Sequence, residues 1–231
     1  MWHRFNVLRL EQALRTVSPD DDIAMAYWDE TSDETLKFGI PEILTKATVM
    51  IDNKEVPNPL RSYTYQQEIV PGANADDMYS KKKGTTTIRY PFSGIQTPPE
   101  AASIAAKHNE EMKKRFPTDE KVVEELNRNV LEWLHGGEPS NDQPSRVNSL
   151  YNAYARSLNT KSFNVFSNTP SAKKIPQDMS LESPHSHMHL AIGGFTMKGG
   201  FHSGRVEGAN GDMGENETVC VYTCNNNCTT S

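Results

Sequence analysis

The sequence predicts a mainly α-helical protein with long loops and a few short strands, and three observations lead to this prediction. Several segments carry apolar residues at the three- and four-residue spacing of one helix face. Capping or breaking residues (Pro, Thr or Gly) stand at the ends of most of these segments. By contrast, residues 30–95 are rich in Thr, Pro, Gly and Asn, a composition typical of loops.

The composition limits the classes of partner. The chain has 231 residues, of which 35% are hydrophobic, and a net charge of -6. This is enough for one large domain with much loop, and it argues against nucleic acid or acidic lipid as the main partner. No apolar run approaches the roughly 18 residues of a membrane span, and no signal-peptide pattern opens the chain. As written, the sequence therefore indicates an intracellular protein without a membrane segment.

The first predicted helix covers residues 3–16. Val7, Leu10 and Leu14 share one face with His3. On the residues alone, His3 is a surface residue at a frayed terminus. Residues 23–28 form a short apolar run, expected to be extended or packed under the helices, with Trp28 in the core. Within the long loops, which we expect to decorate a small helical core, residues 85–90 are the predicted strand.

Three helices are predicted in the middle of the chain, over residues 101–115, 118–134 and 145–158. Thr118 is the expected N-cap of the second, and Gly136 follows its last turn. His108 lies on the first of these helices, and His135 lies at the end of the second. We expect both to be surface or capping residues.

A further helix is predicted over residues 180–192, and it carries His185 and His189. Residues four apart share a helix face, so the two imidazoles could bind one metal ion, whereas His187 points to the other side. The Gly193-Gly194 pair is the expected end of this helix. Imidazole suits Zn, Cu, Fe and Ni alike. The spacing alone chooses no metal, and surface histidines remain the alternative.

The C-terminal stretch holds further candidate ligands. His202 lies in Gly-rich sequence and could act as a loop ligand. All three cysteines recur at four-residue spacing in the last twelve residues (Cys220, Cys224 and Cys228). They suggest either a thiol metal site or a polar tail without structure. We expect residues 1–214 to form the domain and residues 215–231 to be a disordered Cys- and Asn-rich tail.

Four elements of the sequence carry a resemblance to a known family. The stretch Trp2-His3-Arg4, with Val7 and Glu11, resembles the end of the first copper motif of tyrosinases and catechol oxidases, the type-3 copper proteins. His185 and His189 with Gly193-Gly194 resemble the start of the second motif. Tyr27-Trp28-Asp29 is similar to the Y-W-D element of the family, and Gly211-Asp212-Met213 to its G-D-M segment. Because the four follow the family's order, the chain is identified as a member.

The resemblance implies a fold, a cofactor and an activity. It implies a partial tyrosinase-like four-helix-bundle core and two copper ions, each held by three histidines. The family converts o-diphenols or o-aminophenols to o-quinones with O2, and some members first hydroxylate monophenols. By resemblance, His3 is the last ligand of the first copper, and His185 and His189 are the first two ligands of the second. Three of the six ligands have no counterpart here, so we expect an incomplete, truncated site, fewer than two coppers and no oxidase activity from this chain alone.

Two positions near the second motif bear on the chemistry. Where the family usually carries Asn, this sequence has Ser186, a smaller acceptor, which favours diphenols over monophenols. Glu182 matches a family glutamate that holds a water molecule, or it is simply a first-turn residue favoured by the helix dipole. The alternative function is a non-catalytic helical remnant or interaction protein with at most one weak metal site. A single-metal hydrolase is disfavoured because Ser186 stands where the H-E-x-x-H motif requires Glu.

Overall fold

The computed structural model describes residues 2–18, 22–68, 82–94, 99–136, 149–167 and 179–193. The described helices are α1 (Trp2–Val17), α2 (Asp33–Phe38), α3 (Pro99–Arg115), α4 (Asp119–His135), α5 (Leu150–Leu158), α6 (Phe163–Phe166) and α7 (Glu182–Gly193). A short antiparallel hairpin joins β1 (Thr48–Ile51) to β2 (Lys54–Pro57), and Glu42–Leu44 forms one 3-10 turn. The predicted fold class, mainly helical with few short strands, is confirmed.

The ends of α4 lie at the capping residues that the sequence predicted. The hydroxyl of Thr118 accepts the N–H of Lys121 at the start of α4. Gly136 ends α4 in the left-handed conformation, with φ 73°. The helix predicted from residue 145 begins at Leu150 instead, because Ser149 is its N-cap and accepts the N–H of Asn152.

One expectation about strands is wrong, and one hairpin was not predicted. Residues 85–90 form one isolated bridge, between Thr64 and Thr86, rather than a strand. At the end of this segment the N–H of Tyr90 donates to the carbonyl of Ile192 over 2.8 Å. The hairpin β1–β2 was not predicted. Its turn residues, Asp52 and Asn53, both take positive φ (50° and 59°), as a two-residue hairpin turn requires.

The core is built around α4, which contacts α2, α5 and α7. The buried apolar residues share the inner faces of three helices: Leu126, Val130, Trp133 and Leu134 on α4, Leu150 on α5, and Met188 and Ala191 on α7. Trp28 packs against this cluster, as predicted. Two loop residues, Ile40 and Tyr90, belong to the cluster itself. The long loops are therefore part of the core rather than decoration on it.

His108 and His135 are not surface residues. They are 8% and 6% exposed, respectively. The Nε2–H of His108 donates to the carbonyl of Pro91, and that of His135 to the carbonyl of Leu36, both over 2.7 Å. The carbonyl of Pro91 lies in a loop and that of Leu36 lies in α2, and each ring supplies a hydrogen-bond partner away from water. His108 thus ties a loop to α3, and His135 ties α2 to α4.

Helix α1 is joined to the chain that follows it by polar contacts. The carboxylate of Glu11 accepts the N–H of Met25 over 3.0 Å, and Arg15 donates to the carbonyl of Ile23 over 2.8 Å. The apolar residues predicted to share a face with His3 are largely exposed, with Val7 at 47% and Leu10 at 50%. None of the described helices combines the length and apolarity that crossing a membrane requires.

Candidate metal centre

Helix α7 has a stripe of buried residues and, beside it, an exposed pair of histidines. Pro184, Met188 and Ala191, spaced by four and three residues, are buried. His185 and His189 each follow one of these residues, so they lie beside the buried stripe and are exposed. The packing of α7 against α4 and α5 therefore fixes which way the two imidazoles face.

The two imidazoles converge through their Nε2 atoms. These atoms are 2.9 Å apart, so that one ring donates an N–H to the unprotonated nitrogen of the other. The ring centroids are 4.5 Å apart and the planes meet at 74°. Two imidazole nitrogens bound at right angles, each about 2.0–2.1 Å from one ion, would be about 2.9 Å apart. The pair therefore fits two adjacent ligand positions on a metal ion.

The electrostatics of the pair favour the ligand form of imidazole. Partial desolvation of the ring, and secondarily the nearby His185, lower the pKa of His189 below its usual value. A lower pKa favours the neutral ring, whose bare nitrogen can bind a metal.

His187 points away from the pair, as the helical spacing predicted. Its Nδ1–H donates to the carbonyl of Ser183, one turn earlier, over 2.5 Å. Its ring lies against Trp133 of α4, with centroids 5.7 Å apart. His187 is therefore part of the contact between α7 and α4.

The last turn of α7 is held by two donors from outside the helix. The side-chain N–H of Asn129 on α4 donates to the carbonyl of Ala191 over 2.7 Å. The backbone N–H of Tyr90 donates to the next carbonyl, that of Ile192. The last four carbonyls of a helix have no partner within it. These two contacts therefore fix the end of α7 that follows His189.

The Tyr90 segment is itself anchored to α4 by a charged network. The hydroxyl of Tyr90 donates to Glu125 over 2.7 Å, and Arg128 bonds the same carboxylate through two N–H groups over 2.9 Å. Burial first, and then the hydrogen bond to Glu125, raise the pKa of Tyr90 well above its usual value. The phenol therefore stays protonated and keeps its donor role.

The start of α7 is fixed by α5 and α6. The N–H of Leu181 donates to the carbonyl of Phe166 over 2.9 Å, and the hydroxyl of Ser157 donates to the carbonyl of Ser180 over 3.1 Å. Ser157 and Ser180 are fully buried. The histidine helix is thus held at both ends before any ligand binds.

The structure describes the other predicted site residues only in part. His3 lies in α1, but its side chain is outside the described part of the structure, as is that of Ser186 in α7. Glu182 opens α7 and is half-buried. His202, the three cysteines and the 214/215 boundary lie outside the described residues. Within the described residues, no group of three or more His, Cys, Asp or Glu could hold a metal ion.

Sequence reasoning missed the residues that position the pair, namely Asn129, Tyr90 and Trp133. A usable signal existed for Asn129. It lies three residues after Leu126 and four before Trp133, so it is a polar residue within the apolar stripe of α4. Such a residue must find a hydrogen-bond partner when it is buried. No local pattern marks Tyr90, whose partner lies about a hundred residues further along the chain.

The family model and the related sequences that match this chain all point to one family. Residues 1–221 match the family described as the common central domain of tyrosinase. Tyrosinase HcTyr2 of Hahella sp. (strain CCB-MM4) is 39% identical over 235 aligned positions, which cover 95% of this chain and 41% of that protein. The tyrosinase of Aspergillus oryzae (strain ATCC 42149 / RIB 40) is 38% identical over 241 positions, covering 94% of this chain and 43% of the relative.

Solved structures agree with the sequence relatives. The structure of tyrosinase from Burkholderia thailandensis at low pH superposes with a TM-score of 0.74 at 40% identity, covering 94% of this chain and 41% of that one. The structure of the same enzyme at high pH gives a TM-score of 0.74 at 41% identity. The chain spans about two fifths of the length of the relatives it matches.

Proposed function

The chain belongs to the tyrosinase family, and from that premise we propose that it carries part of a dicopper site for the oxidation of o-diphenols or o-aminophenols by O2. His185 and His189 are the proposed ligands of one copper ion. His3 on α1 is the proposed ligand of a second. The observation that carries the proposal is the approach of the two Nε2 atoms to 2.9 Å on an exposed helix face.

The bound metal would supply redox chemistry, passing electrons from the phenol to O2. Neutral imidazoles suit copper in both of its oxidation states. In the overall reaction, each o-diphenol loses two electrons and two protons to become an o-quinone. Two diphenols therefore reduce one O2 to two molecules of water. The role proposed for this chain's residues is to hold the ion and to keep its ligands neutral and oriented.

Two further residues of α7 bear on the choice of substrate. Glu182 lies one helical turn before His185 and would hold a water molecule near the site. Ser186 replaces the asparagine usual in the family, and its single hydroxyl is a weaker aid to removing a proton from a monophenol. We therefore propose diphenols rather than monophenols as substrates.

Two ligands on one ion make a weak site, and this bears on the chain taken alone. Catalytic metal sites in proteins usually have three protein ligands. We propose that this chain by itself binds fewer than two coppers and has no diphenol oxidase activity. The alternative is a non-catalytic helical protein whose histidine pair binds at most one ion weakly.

Copper stoichiometry tests the proposal. The chain would be reconstituted with Cu(I), exposed to air and freed of unbound metal, and copper per chain would then be measured. We expect a value between zero and one, falling towards zero in His185→Ala and His189→Ala. His187→Gln is the matched control, because this histidine is on the same helix but contacts Trp133. A value near two would contradict the expected stoichiometry, and equal loss in a His187 variant whose free energy of unfolding is unchanged would contradict the proposed ligand set.

A further inference from the structure

We propose that a cavity beside the first turns of α4 is a second binding site, for a small monocarboxylate with an apolar body. The cavity has a volume of about 230 Å³. Two arginines, Arg61 and Arg89, are among the residues that line it. Apolar residues line another part of it, chiefly Phe92 from the loop and Val122, Val123 and Leu126 from α4, and Asp119 and three Ser or Thr residues also belong to the lining.

The two arginines differ in how their charge is balanced. Arg61 forms a two-pronged ion pair with Asp119, with one N–O distance of 2.7 Å. Arg89 instead donates to two neutral carbonyls, those of Leu44 over 2.7 Å and Leu60 over 2.5 Å. Arg89 forms no ion pair with any carboxylate of the described residues. Its positive charge is therefore held in place by the backbone but is not neutralised.

The environment of Arg89 disfavours its charged form. Burial, and then repulsion from Arg61, lower the pKa of the Arg89 guanidinium below its usual value. A bound anion would relieve both effects, because it would pair with the desolvated cation and screen one arginine from the other. The guanidinium is fixed before binding, so little side-chain freedom remains to be lost.

The lining selects the class of ligand. Two arginines and one aspartate leave a single positive charge at the cavity, which matches a monoanion better than a phosphate dianion. The N-terminus of α4, which begins at Asp119, adds a partial positive charge of the same sign. The valines, Leu126 and Phe92 would take up hydrocarbon. A carboxylate attached to a single ring, or to a short aliphatic chain, matches both the charged and the apolar parts of the lining.

The site is separate from the histidine pair. The cavity uses α4 at residues 122–126, whereas α7 meets the same helix at Asn129 and Trp133. Tyr90 lines the cavity and its backbone N–H also donates to the carbonyl of Ile192 on α7, but neither His185 nor His189 is among the residues that line the cavity. A ligand in the cavity would therefore not compete with a metal at His185 and His189.

The test uses the metal-free full chain and cyclohexanecarboxylate as the probe, with binding followed by ligand-observed NMR. We expect saturable binding with a dissociation constant on the order of 1 mM. The neutral analogue cyclohexanecarboxamide has nearly the same shape and should bind at least about tenfold more weakly, because it lacks the charge. Equal binding of acid and amide, or no saturable binding of the acid, would overturn the proposal.

Two substitutions locate the binding. Val123→Phe fills the cavity and should weaken binding by about tenfold or more, whereas Val17→Phe on the exposed end of α1 should not change it. Asp119→Asn removes the competing carboxylate and should strengthen binding by about three- to tenfold. Asp33→Asn, in the first turn of α2, is its matched control. Because a gain in affinity does not arise from misfolding, unchanged binding in Asp119→Asn would refute the site.

Discussion

Asn129 on α4 donates a side-chain N–H to the carbonyl oxygen of Ala191 on α7 over 2.7 Å, and this bond fixes the helix that carries the histidine pair. Asn129 is completely buried. Ala191 lies two residues after His189, in the turn where helix carbonyls lack partners within the helix. The bond therefore limits rotation of α7 about its own axis, and with it the direction of both imidazoles.

Asn129→Ala should lower the free energy of unfolding by about 2–4 kcal/mol, since it removes a buried hydrogen bond and leaves a cavity. The variant should also retain less copper than the unmodified chain at the same free copper concentration. Urea unfolding and metal analysis measure the two effects. Asn164→Ala is the control, because Asn164 is exposed on α6. Normal copper retention in a destabilised Asn129 variant would mean that the bond supports the fold but not the pair.

Gly39→Ala should be strongly destabilising for two separate reasons. Gly39 has φ 80°, which side chains rarely adopt, and an added Cβ would lie 2.6 Å from Oδ1 of Asn127. That oxygen already accepts the N–H of Ile40 over 2.8 Å and cannot move without losing it. We expect a loss of about 3 kcal/mol in unfolding free energy.

Gly84→Ala separates the two contributions. Gly84 has φ 83°, but no described atom lies within 4 Å of its added Cβ. This variant should lose only the conformational part, about 1–2 kcal/mol. Equal losses in the two variants, measured by urea unfolding, would show that the side chain of Asn127 moves aside and that its contact with the added Cβ at residue 39 is unimportant.

The sequence could predict the helices because their signals are local. Thr118 and Gly136 bound α4, and the four-residue spacing of His185 and His189 alone places both rings on one face. The positioning of α7 could not be predicted, because Tyr90 and Asn129 act on carbonyls 62 or more residues away in sequence. The burial of His135 was missed for the same reason, since its partner, the carbonyl of Leu36, is 99 residues distant.

Acid should destabilise the chain through Glu125. Burial acts to raise the pKa of Glu125, but hydrogen bonds from Arg128 and Tyr90 outweigh it, and the net pKa is below the usual 4.5. A lowered pKa contributes stability that is complete above the unfolded-state value and is lost as pH falls through the folded-state value. Glu125→Gln should therefore flatten the decline of unfolding free energy below about pH 4.5. Urea unfolding at several pH values measures the decline, and an equally steep decline in Glu125→Gln would contradict this role for Glu125.

Glu30 should show the opposite dependence on pH. Its carboxylate accepts a hydrogen bond from Tyr154 of α5, but burial dominates and raises the pKa of Glu30 above 4.5. A raised carboxyl pKa contributes stability that is complete below the unfolded-state value and is lost as pH rises through the folded-state value. Glu30→Gln keeps an acceptor for Tyr154 without the charge, so its advantage over the unmodified chain should grow as pH rises above about 4.5. Urea unfolding from about pH 4 to pH 7 measures this difference, and a difference that stays constant would show that Glu30 titrates normally in the folded chain.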